Sequence, residues 1–287
     1  MITTLLDAHP DVAMSYETYE HLLKPDQSNT YELPGVLEKI QKNPLNSIER
    51  IFFSGTSDMD ANFKKFLARS ERSDIDRNIL DKLFKKHFAE GLSLDTFRDR
   101  MFFVERLSRE KMQSEGKKYW GTKITSKYNQ LDELYPEARY MFMLRDGRDI
   151  AASRKTVGDF NQTIEHIADG WCKQIKKFEE FASSRNDRAF YVHYENLAHD
   201  PENELRALMD KIGLPWSERL LNYHDLNLSI HRHPTGHLSG KQVKSPVNTS
   251  SIGRWKKDLT RDEIERFEAK AGDMLKKLGY MTQRPLR

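Results

Sequence analysis

The sequence is poor in cysteine and in long hydrophobic runs, and its charges nearly cancel. The single Cys172 excludes an intramolecular disulfide and a metal site built on several thiolates. The longest apolar runs hold about five residues, as in 140–144, whereas a membrane-spanning helix needs about 20. Residues 1–4 show no secretory leader, and 47 Lys and Arg against 44 Asp and Glu give a net charge of only +3. We therefore predict a globular cytoplasmic protein with no membrane segment and no nucleic-acid partner.

The pattern of apolar residues divides the chain into a helical part and an alternating part. The length of 287 residues suits one or two domains. Residues 20–115 show helical spacing, which predicts a helical insert. Short apolar runs at 120–124, 139–145 and 189–194 alternate with helical patterns, which is typical of an α/β fold with a parallel sheet flanked by helices. We predict one domain over residues 1–287 that contains the insert, and nothing in the sequence indicates an oligomeric state.

Two helices carry clear start and stop signals. Asp200 is a good N-cap, Pro201 suits the first turn, and Gly213 suits the end of the same helix. Thr260 and Glu263 have the spacing of a capping box before the last helical pattern.

The segment from Leu144 to Ser153 has the pattern of an anion-binding turn. An apolar strand ends at Arg145, Gly147 permits a tight turn, and a helix then begins whose free N–H groups and dipole favour an anion. The spacing is equally compatible with ion pairs of Arg145 and Arg148 with the two nearby aspartates on a solvated face.

Residues 140–153 resemble the 3′-phosphate-binding segment of sulfotransferases that use 3′-phosphoadenosine 5′-phosphosulfate (PAPS). Other segments resemble the same family in the same order: Leu6–Val12, Trp120–Lys123, Tyr194–Leu197, Asp200–Trp216 and Pro246–Trp255. The first and last of these resemble the protein-tyrosine sulfotransferase branch. The resemblance implies a P-loop-like sulfotransferase fold and transfer of a sulfuryl group from PAPS to a hydroxyl, with no metal.

The resemblance also implies roles for individual residues. Arg145 and Ser153 match the pair that holds the 3′-phosphate, and Tyr194 matches a nucleotide contact. Without the resemblance, Ser153 reads equally well as a surface residue and Tyr194 as a core aromatic. A loop over the nucleotide matches Ser239 and Lys244, although Ser245 stands where the branch has a lysine.

Two further residues match the family's catalytic groups. Lys123 matches the lysine at the leaving oxygen, where a fixed ammonium stabilises developing negative charge. Glu17 matches the general base of the protein-tyrosine branch. Glu20 lies three residues away and leaves this register open, and both glutamates fit a non-catalytic place in a helical first turn.

One departure from the family concerns the 5′-phosphosulfate loop, which in the family directly precedes the helix at 2–8. The expectation is that the chain is N-terminally truncated. Residues 51–57 resemble such a loop but stand at the wrong place.

Two alternatives to the enzyme stay open: an inactive nucleotide-binding module, and a phosphotransferase, for which the required phosphate loop is missing from the sequence. His231, His233 and His237 lack carboxylate or thiol partners at metal-ligand spacing, so no metal site is predicted. The acceptor is undetermined between a protein tyrosine, a saccharide and a small molecule.

Overall fold

The computed structural model describes residues 1–16, 57–124, 126–156, 162–185, 187–232 and 244–281. Contacts divide the chain into two compact units, residues 1–126 with 217–244 and residues 127–216 with 245–287. Each unit contains a pair of parallel strands among the described residues. The predicted α/β class with parallel strands is confirmed, while the single domain over residues 1–287 with an insert at 20–115 stays a prediction.

The described strands are β1 (Val12–Ser15), β2 (Tyr119–Thr122), β3 (Tyr140–Leu144) and β4 (Ala189–His193). The described helices are α1 (Ile2–Ala8), α2 (Ser57–Glu71), α3 (Arg77–Ala89), α4 (Phe97–Ser114), α5 (Tyr128–Leu134), α6 (Gly147–Thr156), α7 (Ile164–Ala182), α8 (Tyr194–His199), α9 (Pro201–Ile212), α10 (Ser229–Arg232), α11 (Trp255–Asp258) and α12 (Arg261–Lys277).

In the first unit, three helices each bury a phenylalanine. Phe66 of α2, Phe84 of α3 and Phe103 of α4 are fully buried. The rings of Phe84 and Phe103 stack with their centroids 4.1 Å apart, and such aromatic pairs add to the free energy gained by burial. Leu80, Phe84 and Phe88 of α3 are buried at four-residue spacing, so the helical spacing read from the sequence is confirmed for this helix. In the same unit β1 and β2 pair in parallel, with Ser15 opposite Thr122.

In the second unit, β3 and β4 pair in parallel, with Leu144 opposite His193. The core between α6, α7 and α12 is built from the apolar faces of these helices, and its fully or nearly buried side chains include Ala151, Ile167, Trp171, Ile175, Phe267 and Leu275. A contiguous apolar stripe on each helix is what the 3.6-residue period predicts. This core lies directly behind the carboxyl end of β3, so it supports the segment that follows Leu144.

The helix signals of this unit are confirmed. The Asp200 side chain accepts a hydrogen bond from Asn203 N, and Gly213 ends α9 with a φ of +71°. Thr260 and Glu263 form the predicted capping box at the start of α12. The predicted strand 189–194 is one residue too long, because Tyr194 already begins α8, which turns Leu197 into the core.

Candidate functional site

The pairing of β3 with β4 brings two of the predicted site residues together. Since Leu144 lies opposite His193, Arg145 and Tyr194 leave the sheet side by side at its carboxyl edge. The Arg145 guanidinium carbon lies 4.3 Å from the centre of the Tyr194 ring, within the range of a cation–π interaction. The carboxyl edge of parallel strands is where α/β proteins commonly bind ligands.

The Arg145 guanidinium keeps donors available for an anion. Nη2 donates to the carbonyl oxygen of Ser251 at 2.5 Å. Nε is buried and has no acceptor, and within the described part of the chain Arg145 forms no ion pair. A buried N–H without a partner costs free energy until an acceptor binds it. A phosphate oxygen fits this requirement, because a guanidinium binds phosphate through paired N–H groups.

The neighbouring Arg148 has a different environment. It pairs with Asp146 at 2.8 Å and with Glu268 at 2.7 Å. Its guanidinium carbon lies 3.9 Å from the centre of the Trp255 ring. The ion-pair interpretation of this cluster is thus correct for the pair Arg148–Asp146 and wrong for Arg145. The expected solvated face is also wrong, because Arg148 and Asp146 are both buried.

The beginning of α6 differs from the sequence expectation. Asp146 Oδ1 accepts the N–H of Arg148 at 2.8 Å, so one of the first N–H groups of the helix is already bonded within the protein. A carboxylate at this end also partly neutralises the positive end of the helix dipole. Arg145, rather than the helix end, is therefore the main cationic group that this segment offers to an anion.

Ser153 lies in the second turn of α6. It is half-buried, and in the described residues its hydroxyl has no hydrogen-bond partner. It lies six positions after Gly147, which corresponds to about 9 Å along the helix axis. Its hydroxyl is available as a donor, and its role at a phosphate stays a prediction.

Glu195 fixes the turn that carries Arg145. Its Oε1 accepts the N–H of Asp146 at 2.9 Å, and its Oε2 accepts the hydroxyl of Tyr280 at 3.0 Å. Burial, followed by the charge of Glu195, raises the pKa of Tyr280, so its hydroxyl stays protonated and donates. Glu195, which follows Tyr194, therefore positions Asp146, which follows Arg145.

Gly147 is required by packing rather than by a turn conformation. A Cβ atom at this position would lie 2.6 Å from the Trp171 ring and 2.8 Å from the Phe267 ring. Its φ is not among the positive values of the described glycines. The sequence expectation of a glycine needed for a tight turn is therefore replaced by close contact between the helix start and two aromatic rings.

We expect Gly147→Ala to lower the free energy of unfolding by about 1–3 kcal/mol, the usual cost of overpacking a core. Gly170→Ala is the matched control, because it also lies in a helix and a Cβ there meets nothing within 4 Å. The control should stabilise by about 0.5–1 kcal/mol through helix propensity. Urea unfolding of both variants measures the difference, and equal effects would contradict the packing argument.

The first unit holds Lys123, which directly follows β2 and is exposed. The same unit contains a buried ionic network that the sequence analysis missed. Lys111 and Asp7 are both fully buried and lie 2.8 Å apart. Lys111 continues the buried stripe of α4 at Val104 and Leu107, and a lysine at such a position is the signal that could have revealed it.

The other predicted site residues divide into two groups. Lys244 is described and exposed in a turn. Glu17, its neighbour Glu20, Ser239 and the loop at 51–56 lie outside the described residues. The structure thus brings Arg145 and Tyr194 together, and the roles of all these residues stay predictions.

The described residues contain neither a group of metal ligands nor a helix that could span a membrane. Within these ranges no three His, Cys, Asp or Glu side chains are grouped as metal ligands. None of the described helices is both long and apolar enough to cross a membrane.

The sequence matches a family profile over most of its length and individual known proteins over about half of it. Residues 1–218 match the profile of the sulfotransferase family. The chain is 28% identical over 166 residues to a protein-tyrosine sulfotransferase of Drosophila melanogaster. This match covers 52% of this chain and 31% of that protein. It is 27% identical over 156 residues to protein-tyrosine sulfotransferase A of Caenorhabditis elegans, with 52% and 41% covered. The chain thus spans less than half the length of these curated relatives.

Two solved structures share the fold. The sulfotransferase domain of the Synechococcus PCC 7002 olefin synthase matches with a TM-score of 0.55 at 18% identity and covers 93% of this chain and 88% of that one. The sulfotransferase domain from the curacin biosynthetic pathway matches with a TM-score of 0.57 at 15% identity and covers 94% and 92%. The predicted sulfotransferase fold is confirmed.

Proposed function

The chain belongs to the sulfotransferase family, and from that premise we propose that it transfers a sulfuryl group from PAPS to a hydroxyl of an acceptor and releases 3′-phosphoadenosine 5′-phosphate. The observation that carries this proposal is the Arg145 guanidinium, which is held by Tyr194 and Ser251 and keeps a buried N–H without an acceptor. A dianionic 3′-phosphate is the group that such a guanidinium suits.

Arg145, Ser153 and Tyr194 of the second unit are proposed to bind the nucleotide end of the donor. In this proposal Arg145 binds the 3′-phosphate with charged hydrogen bonds, and the Ser153 hydroxyl adds a neutral one. Tyr194 holds the guanidinium over its ring, which limits the side-chain entropy lost on binding. Ser239 and Lys244 are proposed to cover the bound nucleotide.

Two residues are proposed for catalysis, Glu17 as the base and Lys123 as the cation at the leaving oxygen. The donor, when bound, supplies the sulfuryl group. Glu17 would accept the proton of the acceptor hydroxyl, and the Lys123 ammonium would stabilise negative charge on the leaving oxygen. As in phosphoryl transfer, in-line positioning and charge stabilisation would then supply most of the rate enhancement.

The acceptor belongs to one of three proposed classes: a protein tyrosine, a saccharide or a small molecule. The names of the curated relatives favour a protein tyrosine. The cytoplasmic location and the lack of a nucleic-acid partner stay proposals that rest on composition alone.

We expect Arg145→Ala to weaken binding of 3′-phosphoadenosine 5′-phosphate roughly tenfold or more, because it removes charged hydrogen bonds worth about 1.5–3 kcal/mol. Binding of adenosine 5′-phosphate, which lacks the 3′-phosphate, should change little. Isothermal titration calorimetry of both nucleotides measures the effect. Equal losses for the two nucleotides would contradict the role of Arg145.

Arg139→Ala is the matched control for this experiment. Arg139 immediately precedes β3 and is exposed, and among the described residues it donates only to the backbone oxygens of Asp187 and Lys211. Its replacement should leave the preference for the 3′-phosphorylated nucleotide unchanged. An inactive binding module would give the same binding results, so turnover separates the two functions.

A further inference from the structure

Asp149 ties the start of α6 to the segment 251–255. Its carboxylate is 1% exposed. Oδ2 accepts the N–H of Gly253 at 2.8 Å, and Oδ1 accepts the N–H of Trp255 at 3.0 Å. Both oxygens are therefore used to hold one short stretch of backbone that lies about a hundred residues away in sequence.

This stretch of backbone also contacts Arg145. The Ser251 carbonyl, two residues before Gly253, accepts the hydrogen bond from Arg145 Nη2. Gly253 has a φ of +70°, a conformation that glycine adopts without strain, and the backbone turns there between the two N–H groups that Asp149 binds. The two bonds of Asp149 therefore hold the backbone next to the Ser251 carbonyl, beside the hydrogen bond from Ile252 N to the Thr249 carbonyl.

We infer that Asp149 is a positioning residue for anion binding by Arg145: it holds the Ser251 carbonyl against one edge of the guanidinium, so that the remaining N–H groups point to a 3′-phosphate. This inference rests on the proposed function. Without the link, the guanidinium keeps its contact with Tyr194 but loses the partner that fixes its rotation. A donor that is misplaced by about 1 Å loses much of its effect on a bound ligand.

The carboxylate of Asp149 interacts with two backbone N–H groups and with the charge of Arg145. Burial raises the pKa of Asp149 above its ordinary value, and its two backbone hydrogen bonds and the charge of Arg145 limit this rise. The neighbouring cation Arg148 is already paired with Asp146 and Glu268. Asp149 therefore acts through backbone N–H groups and not as a partner of Arg148.

The test measures the 3′-phosphate preference, defined as the ratio of the dissociation constants of adenosine 5′-phosphate and 3′-phosphoadenosine 5′-phosphate. Asp149→Ala should lower this preference roughly tenfold, the size expected when a charged hydrogen bond is misaligned. Asp149→Asn keeps one acceptor oxygen and should lower it less. In an Arg145→Ala background, Asp149→Ala should have no further effect, because the two residues act through one interaction.

Thr260→Ala serves as the control for lost stability. It removes the capping box of α12 in the same unit and leaves the segment 251–255 intact. It should destabilise the protein without changing the 3′-phosphate preference. If Asp149→Ala does not fold, Asp149→Asn alone and with Arg145→Ala gives the same comparison.

The outcomes separate the inference from the function on which it rests. No 3′-phosphate preference in the wild-type protein would overturn the proposed function. A preference that Arg145→Ala abolishes and both Asp149 variants retain would overturn only the inference. Equal losses for Asp149→Ala in the wild-type and Arg145→Ala backgrounds would also overturn it, since a structural role alone gives additive effects.

Discussion

Replacing Lys111 with methionine is expected to lower the free energy of unfolding by about 3–5 kcal/mol, because the change leaves the Asp7 carboxylate buried without its nearest cation. Nζ of Lys111 lies 2.8 Å from Oδ1 of Asp7, and both side chains are 0% exposed. The ammonium of Lys117 lies farther from the same oxygen, at 3.7 Å, and compensates less. Urea unfolding should show a lower midpoint at an unchanged slope.

The exposed pair Lys85–Asp81 provides the control for this prediction. Its atoms lie 2.6 Å apart, closer than in the buried pair, yet its lysine is 49% exposed. Lys85→Met should therefore cost less than about 1 kcal/mol. The double variant Asp7→Asn/Lys111→Met should cost less than the sum of its single changes. An effect of Lys111→Met as small as that of the control would contradict the prediction.

The Asp7 carboxylate also organises the end of β1. It accepts the N–H of Met14 at 2.7 Å and the hydroxyl of Tyr16. Burial, followed by the charge of Asp7, raises the pKa of Tyr16, so the phenol stays protonated and acts as a donor. This network anchors the chain up to the residue that precedes Glu17.

Features that depend on local sequence could be predicted. The capping box at Thr260 and the stop at Gly213 involve residues within one helical turn, so their spacing contains all the information needed. The same holds for Leu80 and Phe84 of α3, whose four-residue spacing places them on one face of the helix, and both are buried.

Contacts between distant residues could not be predicted in this way. Spacing allowed either arginine of the cluster to pair with an aspartate. Arg148 takes the pair because Glu268 and Trp255, more than a hundred residues away, complete its environment. The links of Asp149 to Gly253 and Trp255 are of the same kind. Arg145 was singled out through the family resemblance, and only the register of β3 with β4 shows why Tyr194 lies beside it.

The change Glu17→Gln is expected to lower turnover of PAPS by about 100-fold or more, because glutamine keeps the size of the side chain but does not accept the proton of the acceptor hydroxyl. Glu17 lies outside the described residues and directly follows Tyr16, which the buried network holds. Release of 3′-phosphoadenosine 5′-phosphate measures turnover with whichever acceptor, a tyrosine-containing peptide, a saccharide or a phenol, supports the highest rate.

The affinity for 3′-phosphoadenosine 5′-phosphate should barely change in Glu17→Gln, because a base that acts on the acceptor contributes to the transition state and not to nucleotide binding. Glu20→Gln is the matched control, since it makes the same chemical change three residues away. If Glu20→Gln shows the loss instead, the register with the protein-tyrosine branch is shifted by three residues. If both variants keep full turnover, neither glutamate is the base. A wild-type protein that binds the nucleotide and turns over no acceptor would support the inactive binding module.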